Sequence, residues 1–240
     1  MEARQQLVSI PYPSGDLAAA TYYPAGPPQG AVVIAHGLQS SKASTKLTRL
    51  SQSLAAAGLA ALRFDHSGCG QSPGDMEETT LSSRRDEFLA AMEFLASQVP
   101  GLPLVYMGSS LGGTTALLAG DIKPPACTVC WSTPTDLEAL YLRLRDQAGE
   151  PGMRALARDM PAHDLSAVLA RTSRVLFVHG ERDEVVPAAQ ARRGHRLARA
   201  PKELMIIPQA DHRLSKEQDQ LQAMAQTLAW IEPFIKSGNR

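Results

Sequence analysis

Leu104-Val105-Tyr106-Met107-Gly108-Ser109-Ser110-Leu111-Gly112 is the stretch that decides how this chain is read. An apolar run enters it, small residues fill its centre, and the Ala/Leu-rich segment 114–119 leaves it. In order these are a strand, an abrupt turn and a helix, with Ser110 at the centre of a G-x-S-x-G pattern. Such a turn holds its serine in strained backbone dihedrals. Side chains two residues to either side would strike the crossing strand and helix, so glycine stands at 108 and 112. The serine hydroxyl is then expected at the carboxyl edge of a sheet, exposed, with a helix amino terminus beneath it. The competing reading is a small-residue turn whose serine caps the helix.

Outward from the elbow, the pattern repeats. Toward the amino terminus, residues 31–35 (Ala-Val-Val-Ile-Ala) and 60–64 (Ala-Leu-Arg-Phe after Ala60) read as strands. The first has no polar alternation, as expected of a strand covered by helices on both faces. Between them Leu47, Leu50, Leu54 and Ala57 recur at helical spacing and Gly58 supplies the stop. Ser83 with Asp86 predicts a capping box opening the next helix, whose apolar face is Phe88, Met92, Leu95 and Val99. Residues 5–11 and 17–23, around the turn Pro13-Ser14-Gly15-Asp16, predict an antiparallel hairpin at one sheet edge.

Toward the carboxyl terminus, strands are expected at 126–131, 175–178 and 204–207, with helices near 188–198 and over the face Leu221, Met224, Leu228 and Ile231. Between 133 and 170 the alternation lapses. That segment offers helices at 136–147 and 152–159 with no strand between, longer than an ordinary connection. It reads as a small insertion over the carboxyl edge of the sheet, a lid or pocket wall within a single domain spanning 1–240. Repeated strand-helix units imply parallel pairing with right-handed crossovers, and ligands collect at the carboxyl ends of such strands.

Composition narrows the function classes. The chain has 240 residues, 44% of them hydrophobic, enough to bury a full core. Lys plus Arg equals Asp plus Glu at 24 each, so no electrostatic argument favours nucleic acid or an anionic membrane. Arg192, Arg193, Arg196 and Arg199 are expected on the solvated face of one helix. The first residues lack the apolar region of a signal peptide and no later stretch approaches a membrane span, so a cytoplasmic location is expected. The three cysteines imply no disulfide framework. Cys127 and Cys130, three apart on one strand, point to opposite faces and cannot share a metal.

A serine hydroxyl is a poor nucleophile at neutral pH and needs a base held by a carboxylate. The six histidines are His36, His66, His163, His179, His195 and His212. His212 lies just past strand 204–207, His179 ends an earlier strand, and His195 falls in a helix. For the acid, Asp183 in Gly180-Glu181-Arg182-Asp183-Glu184 is favoured, with Glu181, Glu184 and Asp136 as rivals. An oxyanion needs two amides aimed at it. Leu111 opens the elbow helix, and Leu38 lies in the loop after strand 31–35. There Gly37 lets the backbone approach the substrate and His36 is expected to fix the loop.

Taken together, His36-Gly37, the strand end Arg63-Phe64-Asp65 with Gly68-x-Gly70-x-Ser72, the 108–112 elbow, Gly180-Glu181-x-Asp183-x-x-Val186-Pro187 and Ala210-Asp211-His212 resemble the α/β-hydrolase superfamily over nearly the whole chain. The likeness is to small bacterial serine esterases of the cinnamoyl-esterase, serine-aminopeptidase and dienelactone-hydrolase kinds. It implies a mostly parallel sheet of about eight strands covered by helices on both faces, with the insertion after the sixth. In the superfamily's chain order of serine, acid, histidine, it implies Ser110 as nucleophile, Asp183 as acid and His212 as base. Amides of Leu38 and Leu111 would form the oxyanion hole. Dienelactone hydrolases carry a cysteine nucleophile, and here the position is serine.

The implied reaction is hydrolysis of a small carboxylic ester without metal or organic cofactor. A thioesterase, a peptidase, a cofactor-free perhydrolase or a silent binding protein on the same fold is the alternative. Gly37, Thr133, Pro134, Leu137 and Tyr141 are the expected pocket residues, although Leu137 and Tyr141, four apart on a helix, would equally pack the insertion onto the body. A homodimer is left open.

Overall fold

Residues 4–145 and 153–238 are described by the computed structural model. The strands are β1 (Arg4–Ile10), β2 (Leu17–Tyr23), β3 (Gly30–Ala35), β4 (Leu59–Phe64), β5 (Leu104–Ser109), β6 (Cys127–Trp131), β7 (Val175–Gly180) and β8 (Lys202–Ile207). They form one sheet in the order β1-β2-β4-β3-β5-β6-β7-β8. β1 and β2 are the expected hairpin at one edge, with Ile10 opposite Leu17, and β2 also runs antiparallel to β4. From β4 through β3 and on to β8 the pairing is parallel.

Eight helices cover the described sheet: α1 (Thr45–Ala56), α2 (Leu81–Gln98), α3 (Leu111–Ile122), α4 (Leu137–Arg145), α5 (Met153–Asp159), α6 (Leu165–Arg171), α7 (Ala189–Leu197) and α8 (Glu217–Gly238). The unbroken apolar strands divide their side chains between two cores by the period of the pleat. Val32 and Ile34 of β3 pack with Leu47, Leu50 and Leu54 of α1 and Met224 and Ile231 of α8. Ala31, Val33 and Ala35 turn the other way, onto Phe88, Met92 and Leu95 of α2 and Ala116 of α3. Cys127 lies in the first core and Cys130 in a third, beside α3, α6 and α7. Burial pushes both thiols up to about 12, which suits inert packing residues.

Three expectations change. The capping box of α2 is not Ser83 with Asp86: Thr80 Oγ1 accepts from the Ser83 amide at 2.9 Å and Ser83 Oγ accepts from the Thr80 amide at 3.0 Å. The helix starts earlier because Leu81 in its first turn is fully buried. Segment 133–170 holds a third helix, α6, which Asp164 caps by accepting from the Ala167 amide at 2.9 Å and which packs against α3 and α7. Seven residues are too few to show a helical period. The expected helix ends at 147 and 152 lie outside the described residues. Arg193 is no solvated charge either. It is half-buried and donates to the Thr135 carbonyl at 2.6 Å and to Ser166 Oγ at 2.9 Å, and Arg199 falls beyond α7. Among the described residues no helix is long and apolar enough to cross a membrane.

Candidate active site

β5 delivers Ser110 to the carboxyl edge of the sheet at φ 56° and ψ −127°, a left-handed conformation that costs a non-glycine residue about 1–3 kcal/mol. The surroundings hold it there. Its amide donates to the Trp131 carbonyl at 2.8 Å. A Cβ added at Gly108 would run into the Gly112 backbone, and one at Gly112 into the carbonyls of Ala35 and His36. Ser110 opens α3 without any side-chain cap, so the capping reading does not apply.

The hydroxyl is engaged elsewhere. Ser110 Oγ lies 3.1 Å from His212 Nε2, and His212 Nδ1 lies 2.8 Å from Asp183 Oδ2. With its Nδ1 proton donated to the carboxylate, the imidazole leaves Nε2 as acceptor for the serine hydroxyl. Asp183 is almost fully bonded: Oδ1 accepts from the amides of Val185 at 2.9 Å and Val186 at 2.6 Å, and Oδ2 lies 3.0 Å from His179 Nε2, which is also 2.8 Å from the Val186 carbonyl. Burial opposes its ionisation, yet the bonds from His179, His212 and Val186 together hold its carboxyl well below the usual range.

The rival acids are occupied otherwise or exposed. Glu181 Oε2 accepts from the Gln209 amide at 3.2 Å, Glu184 is exposed, and Asp136 accepts from Ala139 at the start of α4 at 3.1 Å.

Behind the loop after β3 sits a buried polar cluster. His36 donates from Nδ1 to the Gly37 carbonyl at 2.6 Å and accepts the His66 amide on Nε2 at 3.1 Å. Burial, with His66 and Arg84 nearby, lowers its pKa to about 3, so it is neutral and structural, as expected. His66, fully buried and held well below the ordinary histidine range, faces Glu87 Oε2 at 2.6 Å. The buried Arg84 guanidinium donates to Thr79 Oγ1 at 2.8 Å and to the Leu38 carbonyl at 3.3 Å. That bond fixes the Leu38–Gln39 peptide plane, the one after the peptide that carries the Leu38 amide. The Asp65 motif anchors the same loop further along, its carboxylate taking the Lys42 amide and Lys42 Nζ, both at 2.6 Å.

Above Ser110 opens a cavity of about 760 Å³. Of the expected pocket and oxyanion residues, Gly37, Leu38, Leu111 and Pro134 line it. Thr133, Leu137 and Tyr141 are not among its lining. Thr133 is buried against Gly113, while Leu137 and Tyr141 pack into the third core. The helix turns its other side inward, so Leu140 and Arg143 of α4 line the cavity with Met153 and Leu156 of α5.

Sequence reasoning missed the partners of His179, Arg84 and Lys46. Lys46, in the first turn of α1, is half-buried in the cavity wall and donates from Nζ to Ser109 Oγ at 3.0 Å. Burial lowers its pKa to about 8 against the pull of Asp211 and Asp183. Nothing in a single sequence marks these three, because their partners come from distant loops. Among the described residues no group of His, Cys, Asp or Glu is arranged to hold a metal ion.

A family model described as serine aminopeptidase, S33, matches residues 26–158. An uncharacterized protein of Mycobacterium tuberculosis, Rv2307c, is 30% identical over 65% of this chain and 53% of its own length. The chain thus spans about half the length of the first curated relatives it matches. A monoacylglycerol lipase of Mycolicibacterium smegmatis is 26% identical, over 85% of this chain and 88% of the lipase. In fold, Est1E from Butyrivibrio proteoclasticus, solved with ferulic acid bound, superposes with a TM-score of 0.80 at 19% identity, covering 94% of this chain and 99% of that one.

Proposed function

The chain belongs to the serine aminopeptidase S33 family of α/β hydrolases, and on that premise we propose that it cleaves carboxylic esters through an acyl-enzyme on Ser110. The observation that carries this reading is the unbroken line from Ser110 Oγ to His212 Nε2 at 3.1 Å and from His212 Nδ1 to Asp183 at 2.8 Å. Its geometry suits nucleophile, general base and orienting acid.

In the first half-reaction Ser110 Oγ attacks the ester carbonyl carbon while His212 Nε2 takes the hydroxyl proton. Asp183 stabilises the imidazolium that forms. The carbonyl oxygen gathers negative charge, and the amides of Leu38 and Leu111, which line the cavity beside Ser110, are the donors assigned to it. Collapse of the tetrahedral intermediate breaks the bond to the leaving alkoxide, which takes the proton from His212. In the second half-reaction His212 removes a proton from water, water attacks the acyl carbon, and the acid departs as Ser110 recovers its proton. The segment carrying α4 and α5 walls the cavity on one side and supports the reading of 133–170 as a lid or pocket wall.

A fluorophosphonate probe tests the nucleophile. Wild type should be labelled and Ser110→Ala should not, and a panel of ester, thioester and amide substrates should show the ester cleaved fastest. Equal labelling of the variant would remove Ser110 from the mechanism, and a faster thioester would reassign the leaving group.

A further inference from the structure

Among the described residues, the charged side chains that line the cavity beside His212 are Lys46, Arg143 and Arg213, with no Asp or Glu. Two carboxylates stand beside His212: Asp183 faces its Nδ1 and accepts from the Val185 and Val186 amides, and Asp211 Oδ1 accepts the Ser215 amide at 2.8 Å. Lys46 is the innermost cation. Its Nζ reaches Ser109 Oγ, one residue before the proposed nucleophile, and among the described residues it forms no ion pair. A hydroxyl satisfies one of three ammonium donors and none of its charge.

A second feature points the same way. Ser44, Thr45, Lys46 and Leu47, the start of α1, line the cavity. No side chain caps this helix at Ser44 and no acidic residue stands in its first turn, so its positive end faces the cavity uncompensated. Arg213, directly after His212, is exposed and lines the same cavity. Arg143 is partly committed, since its guanidinium donates to the Val185 carbonyl.

The fields of Asp211 and Asp183 reach Lys46, but among the described residues neither carboxylate touches it, so its Nζ keeps donors for a partner. In a cavity of about 760 Å³ opening on Ser110, that partner can be the substrate. We infer that the preferred ester carries a carboxylate of its own, bound by Lys46 and Arg213 within reach of the start of α1. This rests on the ester-hydrolase reading and narrows it to a substrate class. It also gives the wall a role the floor lacks: the floor would act on any acyl group, and the cations would select among them.

The carboxylate can sit on the acyl or the alcohol side, and paired substrates separate the two. Monomethyl glutarate against methyl valerate places the charge on the acyl side, and 4-acetoxybenzoate against 4-acetoxybenzamide places it on the alcohol side. For one of these pairs wild type should favour the anion in kcat/KM by about tenfold or more, the scale of one charge-assisted contact. Lys46→Gln should lower that ratio by about tenfold, and Arg213→Gln, at an exposed position, by roughly twofold to threefold. Raising salt from about 0.05 to about 0.5 M should compress the wild-type ratio, since the outer charge is screened.

Calorimetry of glutarate and of 4-hydroxybenzoate with Ser110→Ala reads the same site without turnover, and the Lys46→Gln change should abolish whichever binds. Ratios near one for both pairs, or ratios unmoved by both substitutions, overturn the inference while neutral-ester cleavage leaves the hydrolase reading standing. Loss of all ester cleavage together with Lys46-dependent binding of a carboxylate would do the reverse. Should Lys46→Gln not fold, Arg213→Gln and the salt dependence decide.

Discussion

The floor and the wall of the cavity are built on opposite plans. On the floor, at the carboxyl ends of β3, β5 and β7, the polar groups are tied to partners: Ser110 to His212, Asp183 to four donors, His36 to Gly37 and His66, and Leu38 to Arg84. The wall, from the start of α1 and from α4 and α5, mixes apolar side chains with cations, and no Asp or Glu is among the described residues that line it. The difference teaches which part is preorganised for chemistry and which is left for a ligand to complete. Groups that must not move during reaction are fixed by sheet edges, and groups that discriminate among substrates ride on helices.

The sharpest way to break the contrast is at Ser110. Ser110→Gly should lose about ten-thousand-fold or more in kcat/KM, as loss of a nucleophile does, while removing the strain of φ 56° and stabilising the fold by about 1 kcal/mol. Ester kinetics beside a melting curve check both halves, and a variant that is less stable than wild type would show that the turn is not strained. Next in size, Asp183→Asn should cost about a thousand- to ten-thousand-fold, because His212 loses its orienting acceptor. His179→Asn removes only one of the four bonds to Asp183 and should cost about tenfold to a hundredfold in kcat. Equal losses for the two would place His179 on a par with His212.

On the proposed mechanism Arg84 would act as a positioning residue, through Leu38. Arg84→Met should lower kcat by about a hundredfold with KM nearly unchanged, since it frees the Leu38 carbonyl and with it the neighbouring peptide. Arg84→Lys should recover part of the loss. A change confined to KM would assign Arg84 to the wall instead.

The floor's buried imidazoles give it a pH limit. His36, at about 3, and His66 both sit below the ordinary histidine value near 6.5, so the unfolded chain binds more protons than the folded one below that value. Their contribution is complete above about pH 6.5 and is lost as pH falls toward 3, at up to about 1.4 kcal/mol per pH unit for each. Asp183 adds to the loss only below the usual carboxyl range. Glu87, bonded to His66 and raised by burial, opposes part of this loss. The urea midpoint should still drop between about pH 7 and about pH 4.5, and a midpoint that rises over that range would mean that the two histidines are not held neutral. Smallest of all, Leu140→Ala or Leu156→Ala in the wall should change kcat/KM for a neutral ester by less than about tenfold, mostly through KM.

The line between legible and illegible parts follows the same division. Gly108, Ser110 and Gly112 announce the elbow because a strained turn tolerates few residues, and Asp183 and His212 follow strand ends whose apolar runs are plain in the chain. The phase of α4 was not legible. Leu137 and Tyr141 share one face with the right spacing, but Leu140 and Arg143 are the pair that meets the cavity. Spacing defines a face and is silent about which neighbour that face will meet. The capping box of α2 slipped by three residues for a similar reason, since both Thr80 and Ser83 are competent caps and the burial of Leu81 chose between them.

What the sequence by itself determined is the strand-helix alternation and the elbow, because each depends on local backbone constraints, while Asp183 and His212 followed from the family resemblance and its chain order. The placement of His179 beside Asp183, the bond from Arg84 to Leu38 and the seat of Lys46 in the cavity wall were decided by tertiary structure alone. Each is a relation between side chains from separate loops, and the energy of a buried charge depends on what surrounds it rather than on where it stands in the chain.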